Sequence, residues 1–421
     1  MTKQSWTSHI HFILAISGAA IGLGTVWAAP FTIGSHGGGI CLFLYIILTM
    51  LIGLPILHLE ILMGYQTQTN IIDGINQLSI TANASRHWRM IGYLSAGLLF
   101  FILSFYVVAG GQVIEQILTN FFKIIKFNPG INQLNLSYIS SLIFSGLTFW
   151  VSKTPLKRGI ERCVKVLMPA LFMSLLFILF GLKDLDGFDT AFNYLFEINF
   201  NDLNMFSFSA AMGLSFFTLA TGAGCMMNYG AYLNNRKSLL FINAISSMMV
   251  IIGVCLSGLI VFTISFNQNL PPESGPSLIF ITIPIALKQF FPYELWANII
   301  FFLLLLSAAI TSSISLLEPL MRITDEKLKI SKEKSGVFAL TVLLFTSAIY
   351  IYFNENWLEK ISTVIMEYLL PASALGYVLF ARKIKLLSCL PEKNQIIQKL
   401  LSFAINYLCP LALIFLLGGH L

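Results

Sequence analysis

Long apolar stretches alternate with short polar ones along almost the whole chain, and that pattern predicts helices that cross a bilayer. A stretch of about 18 to 28 mostly apolar residues is what a hydrocarbon core demands of a helix. Eleven such segments fall near 9–34, 40–64, 88–122, 138–152, 165–182, 206–234, 239–266, 295–326, 333–353, 358–384 and 400–419. The fourth is short and its ends are the least defined. A Pro-rich stretch at 271–292 holds a half-length apolar segment, which predicts a re-entrant or capping helix within a loop.

Composition sharpens this picture. Of 421 residues, 57% are hydrophobic and 10% charged, against roughly 25% charged in soluble proteins. With a mean hydropathy of +0.81, most of the surface must face lipid. Of the 25 basic residues, all but Lys123, Lys126, Lys183, Lys288 and Lys360 fall on one side if the N-terminus is cytoplasmic, the expected positive-inside asymmetry. The net charge of +6 therefore reflects topology, and no nucleic-acid partner is expected. The six cysteines (Cys41, Cys163, Cys225, Cys255, Cys389, Cys409) form no CxxC pair and read as small buried residues. The six histidines do not cluster with acids at metal spacing, so no catalytic residues are assigned and an enzyme is not expected.

Two spans are interrupted. The first reads Gly18-Ala-Ala-Ile-Gly-Leu-Gly24 with Pro30 beyond, and the sixth reads Thr218-Leu-Ala-Thr221-Gly-Ala-Gly224. Each glycine weakens a helix by about 1 kcal/mol relative to alanine. Taken alone, such glycines read as close helix packing. In lipid, however, a broken helix is tolerated where the freed backbone lines a cavity or meets protein. Both breaks fall in the first helix of successive five-helix sets, beside hydroxyl residues. An odd number of spans inverts the second set against the first. The prediction is one transporter domain over 1–421, with repeat one at about 9–182, repeat two at about 206–384 and an extra helix at about 400–419. Its site would lie mid-membrane between the two breaks.

Specific residues carry a resemblance. Trp6, LAISGAAIGLGTVW, Pro30-Phe31, Gly37-Gly38-Gly39, Tyr45 and GLPILHLEILMG open the chain; SFFTLATGAG spans the sixth helix and SAAITSSISLLEP the eighth. These stretches resemble the neurotransmitter:sodium symporter family, and the likeness runs through all eleven spans. It implies an all-α membrane protein of the LeuT fold, a 5+5 inverted repeat of helices 1–5 and 6–10 plus an eleventh helix, with helices 1 and 6 broken. The resemblance further implies a sodium-coupled symporter importing an amino acid by alternating access, multi-pass in a plasma membrane. Eleven spans are similar to bacterial members, hence an inner membrane; a homodimer is compatible with it.

The family's second sodium site maps onto the carbonyls of Gly18, Ile21 and Ala308 and the hydroxyls of Thr311 and Ser312. A hard cation wants several oxygens, and unwound backbone supplies them. The first site maps onto Ala20, Thr218 and Asn243, with Thr25 where the family has asparagine, implying a retained but altered site. The substrate carboxylate would meet amides near Leu23 and Gly24 and the hydroxyl of Tyr106 in LSFYVVAGG; the amine would meet carbonyls near Ala20 and Phe217. Ile102, Ala109, Phe217, Ala220, Ala223, Ser312 and Leu316 would surround the side chain. That wall contains no ion partner, so a medium-to-large neutral side chain is expected.

The chain also departs from the family. The outer-gate arginine is Ala28, and its acidic partner falls near Ile361, with Glu359 close by. At the inner gate Lys3 stands at the basic position, facing Asp325 or Glu326. Tyr45, Thr218, Asn243 and Ser247 resemble a chloride-binding set, but its glutamine is Leu214. Glu60 and Glu115 lie within apolar runs, where structural pairing is the expected role. Two alternatives stay open: a transporter-like sensor, and an amino-acid exchanger not coupled to sodium.

Overall fold

The computed structural model describes residues 5–235, 238–271, 294–353, 360, 363–386 and 395–419. Within them the chain is almost entirely helical. The first span is a bent pair, α1 (His9–Ala20) and α2 (Gly24–Ser35), followed by α3 (Gly39–Thr67). The short α4 (Ile71–Thr81) leads to the long α5 (Arg86–Ile124), then α6 (Gln133–Lys153) and α7 (Ile160–Leu182). A second short helix, α8 (Gly187–Phe196), precedes α9 (Met205–Thr218) and the six-residue α10 (Cys225–Gly230). The remainder are α11 (Leu239–Asn267), α12 (Glu294–Leu328), α13 (Lys332–Phe353), α14 (Leu370–Lys383) and α15 (Gln395–Gly418).

Every predicted span has a helical counterpart among the described residues. Beyond Pro271, the 271–292 segment lies outside them, as does the start of the tenth span. The fourth span begins earlier than hydropathy indicates because Asn132 caps it, accepting the Asn135 N–H at 2.9 Å. Asn70 and Asn204 cap α4 and α9 in the same way; such caps satisfy backbone donors that a helix start leaves free. α4 and α8 were not anticipated: both are short and lie in connections, where hydropathy carries no signal.

By length and composition, seven helices among the described residues can cross a membrane, and the bent α1–α2 pair makes an eighth. Their burial differs sharply. The apolar window of α12 is 78% buried and that of α11 72%, against 28% in both α6 and α7. The first two are therefore inner helices, while α6 and α7 turn most of their apolar surface outward. α1, α2, α9 and α10 lie in the middle: α2 and α10 are almost wholly buried, as are the ends of α1 (Ala15–Ala20) and α9 (Ser209–Phe216) next to the breaks.

Near one end of this core, α3 and α10 touch backbone to backbone. A Cβ on Gly64 would run into the Met227 carbonyl, and one on Gly230 into the Ile61 carbonyl. Neither neighbour is a flexible side chain that can yield. Gly230→Ala is therefore expected to cost about 1–3 kcal/mol, read as a lowered thermal midpoint of the detergent-solubilised protein. An unchanged midpoint would refute the close approach.

Candidate functional site

The first break is short, and side chains of α2, α5 and α12 meet several of its freed backbone groups. α1 stops at Ala20, where Ile21 (φ −85°, ψ 85°) leaves the helix. The chain re-enters through a widened turn at Gly24–Ala28, and the two halves meet at 55°. Ser312 Oγ donates to the carbonyls of Gly18 (3.3 Å) and Ala19 (3.0 Å). Thr25 Oγ1 donates to the Ala20 carbonyl at 3.1 Å. The Leu23 N–H donates to the Tyr106 hydroxyl at 2.7 Å.

The second break is more contorted. Ala220, Gly222 and Gly224 have φ of +52°, +86° and +77°. Alanine rarely adopts this region, at a cost of about 1–2 kcal/mol, so the surroundings must enforce it. Glu60, fully buried on α3, accepts the Gly222 N–H at 2.5 Å. A Cβ on Gly224 would lie 2.6 Å from the Tyr377 hydroxyl, which is itself 2.8 Å from Ser95 Oγ. Glu60 and Tyr377 thus back the unwound turn from behind.

Between the breaks lies a cavity of ≈ 40 Å³, room for about three waters. Ala19, Ala20, Gly22 and Gly24 form one wall, and Ile102 and Tyr106 of α5 another. Phe217, Ala220 and Ala223 come from the second break, Ser312 and Leu316 from α12, and Leu370 from α14. Polar atoms gather at the Tyr106 and Ser312 hydroxyls and the unwound backbone; the remaining wall is apolar, with no charged side chain. A bulky ligand fits only if Phe217, Leu316 or Leu370 shifts.

Most substrate residues expected from sequence line this cavity. Leu23 does not line it: its N–H donates to the Tyr106 hydroxyl and its side chain is buried. Ala109 is buried but does not line the cavity, which closes a turn earlier on α5. Three lining residues were missed. Ala19 and Gly22 lie beside the expected ones and were legible from the break. Leu370 had no local signal: it arrives because α14 docks on the second break, where a Cβ at Gly222 would lie 2.6 Å from the Leu370 carbonyl.

Four of the five residues of the expected second sodium site converge by contact. Besides the Ser312–Gly18 bond, Thr311 Oγ1 lies 3.0 Å from the Ala308 carbonyl, and a Cβ on Gly18 would be 3.4 Å from Thr311 Cβ. Ile21 stands at the bend itself. The first-site residues are more dispersed. Thr25 pairs with Ala20, while Thr218 Oγ1 donates to Leu214 (2.9 Å) and is 3.0 Å from the Tyr45 hydroxyl. Asn243 Nδ2 lies 3.2 Å from His58 Nδ1, a partner the sequence did not suggest. Asn243 Oδ1 and Ser247 Oγ are buried without a hydrogen-bond partner among the described residues.

At the expected gates, Ala28 is buried, whereas Ile361, Glu359 and Lys3 lie outside the described residues. Glu326 takes a hydrogen bond from Arg322 at 2.9 Å and others from Thr69 and Asn70; Asp325, half-buried, precedes it. Glu115 accepts from Ser137 Oγ at 2.6 Å. Among the described residues, no group of three or more His, Cys, Asp or Glu side chains could hold a metal ion.

Comparison with known proteins agrees with this architecture. A family profile described as "Sodium:neurotransmitter symporter family" matches residues 3–135 and 114–382. A Bacillus subtilis protein named uncharacterized sodium-dependent transporter YhdH is 33% identical, with 74% of this chain and 70% of that one aligned. A Haemophilus influenzae protein named uncharacterized sodium-dependent transporter is 28% identical over 86% of this chain and 82% of its own. The crystal structure of MhsT in complex with L-phenylalanine superposes with a TM-score of 0.89, covering 99% of this chain and 100% of MhsT at 23% identity, which establishes the shared fold.

Leu370 gives the site a direct test. Leu370→Ala should favour bulkier ligands and Leu370→Phe smaller ones, each shifting their relative affinity by about tenfold. Competition between neutral amino acids of graded side-chain size measures this. An unchanged preference in both variants would remove Leu370 from the wall.

Proposed function

The chain belongs to the sodium:neurotransmitter symporter family, and from that premise we propose that it imports a neutral, medium-to-large hydrophobic amino acid by sodium-driven alternating access. It is a multi-pass membrane transporter, and the family is one of transporters, not enzymes. The observation that carries the substrate reading is the division of the cavity, with hydroxyls and unwound backbone at one end and an apolar wall elsewhere. A carboxylate suits the turn at Leu23 and Gly24, where the Tyr106 hydroxyl already takes the Leu23 N–H. Exposed amides at the start of a half-helix favour an anion. The ammonium suits carbonyls near Ala20 and Phe217. A charged side chain would have no partner on the wall and would be costly to bury. MhsT, of the same fold, is described with phenylalanine.

Sodium is read here as cargo. The carbonyls of Gly18, Ile21 and Ala308 with the hydroxyls of Thr311 and Ser312 form a donor set suited to a small hard cation. The Ser312 and Thr311 hydroxyls now donate to the Gly18 and Ala308 carbonyls; rotation would turn their lone pairs to an ion instead. A second ion would use Ala20, Thr25, Thr218 and Asn243. Chloride would use Tyr45, Thr218, Asn243 and Ser247, without the amide that Leu214 replaces. The two breaks facing one cavity support the five-plus-five repeat, and the Lys/Arg distribution supports a cytoplasmic N-terminus.

Proteoliposomes with an inward sodium gradient should accumulate labelled neutral amino acids, and Thr311→Ala/Ser312→Ala should abolish accumulation. Equal uptake with potassium in place of sodium would sink the coupling. Binding without accumulation would indicate a sensor. Replacing chloride by gluconate reads the anion dependence in the same assay.

A further inference from the structure

Beyond the cavity, the two helices that frame it are joined again by a side-chain cluster that the proposed transport site does not use. Arg322 stands at its centre, six residues past Leu316 on α12 and so about 9 Å further along the helix. Its side chain is only 14% exposed. Its Nε donates to Glu326 Oε1 at 2.9 Å, its Nη2 to the Gln68 carbonyl at 2.8 Å, and its Nη1 lies 3.4 Å from Asn228 Oδ1. The guanidinium carbon also sits 5.0 Å over the Tyr232 ring. Gln68 ends α3, while Asn228 and Tyr232 belong to α10 and the turn after it. One side chain thereby ties α12 to both.

Glu318, one turn earlier and 2% exposed, completes the joint. It accepts from the Asn228 amide and the Tyr232 hydroxyl, and lies 3.8 Å from Lys332 of α13. The charges are divided unevenly. Both carboxylates, the buried Glu318 and the 34% exposed Glu326, and both cations, in the pairs Arg322–Glu326 and Glu318–Lys332, belong to α12 and α13. Across the joint, α10 and the end of α3 offer an amide, a phenol and a carbonyl, all neutral. The pair that does cross the joint, Lys327–Asp73, is exposed at both ends, where ion pairs contribute little. Drawing α10 away from α12 therefore breaks charge-assisted hydrogen bonds and a cation–π contact, but strands no buried charge without its counter-ion, the costly event in such clusters.

We propose that Arg322 is the latch of the inner gate. It holds α10 and the end of α3 against α12 while the path from the cavity is shut, and it stays paired with Glu326 when that path opens. This rests on the transport reading, because only alternating access requires such a joint to open. The path follows from the helices themselves. Ala223 precedes α10, and Ser312 and Leu316 lie on α12, so the Asn228–Glu318 and Tyr232–Arg322 contacts close the next turns of the same gap.

Cys225, buried at the head of α10 at 1% exposure, reports whether that gap opens. Its alkylation by a soluble maleimide can be read peptide by peptide in the purified protein. Arg322→Met should raise Cys225 labelling in sodium by about tenfold, the population shift expected from losing one charge-assisted contact. Maximal uptake should fall while amino-acid binding persists. Arg322→Lys keeps a charge beside Glu326 but cannot reach Gln68 and Asn228 as well, so it should raise labelling by about threefold. Wild-type labelling in a folded Arg322→Met protein overturns the latch. If that variant does not fold, wild-type labelling in Arg322→Lys overturns it. Wild-type protein that takes up no amino acid under a sodium gradient sinks the transport reading instead, and the labelling comparison still decides the latch.

Discussion

The structure depends on one constraint: backbone groups released by unwinding two buried helices must each find a partner where no water is at hand. An unmet donor or acceptor in such surroundings costs about 1–3 kcal/mol, and more in hydrocarbon. The partners come from distant parts of the chain. Tyr106 serves Leu23 from 83 residues away, Glu60 serves Gly222 from 162, and Ser312 serves Gly18 from 294. α3, α5 and α12 are thereby fixed around the breaks before any ligand is considered. The cavity is what remains between them.

This explains how much the sequence disclosed. Spans follow from hydropathy, since lipid rewards one simple pattern over some twenty residues. The breaks follow from Gly18 to Gly24 and Thr218 to Gly224, whose composition opposes a continuous helix. The short helices α4 and α8 gave no such signal. Leu370, the His58–Asn243 contact and the Arg322 cluster were illegible for a different reason. Each exists only because helices far apart in sequence dock, and nothing in the flanking residues records it. Ala109 differs from its α5 neighbours Ile102 and Tyr106: it is buried but does not line the cavity.

The two ends of the core are organised by different chemistry. Around the breaks, hydroxyls and carbonyls dominate, and the nearest carboxylate, Glu60, is engaged with backbone. At the joint of α10 with α12, charges are concentrated but kept with their counter-ions on one side. The first arrangement provides neutral oxygens and N–H groups that can be shared with a small charged guest. The second provides adhesion that can be released without exposing bare charge. Ala28 marks a third situation: a small buried apolar residue stands where the family resemblance places an arginine.

Trp6 draws the start of the chain into the same core. Its indole N–H donates to the Tyr229 carbonyl at 3.0 Å and its backbone N–H to the Tyr232 carbonyl at 3.1 Å, while its ring packs edge-on against both tyrosines. The Tyr229 carbonyl lies in the last turn of a six-residue helix and also takes the Tyr232 N–H at 3.2 Å, while the Tyr232 carbonyl lies just beyond that helix. Trp6 thus has no resting place until Tyr229, 223 residues further on, has been made and inserted. The fold is completed only when Trp6 is brought back to that slot. Biogenesis is consequently sensitive to anything fused ahead of Trp6 that keeps the indole from reaching its slot.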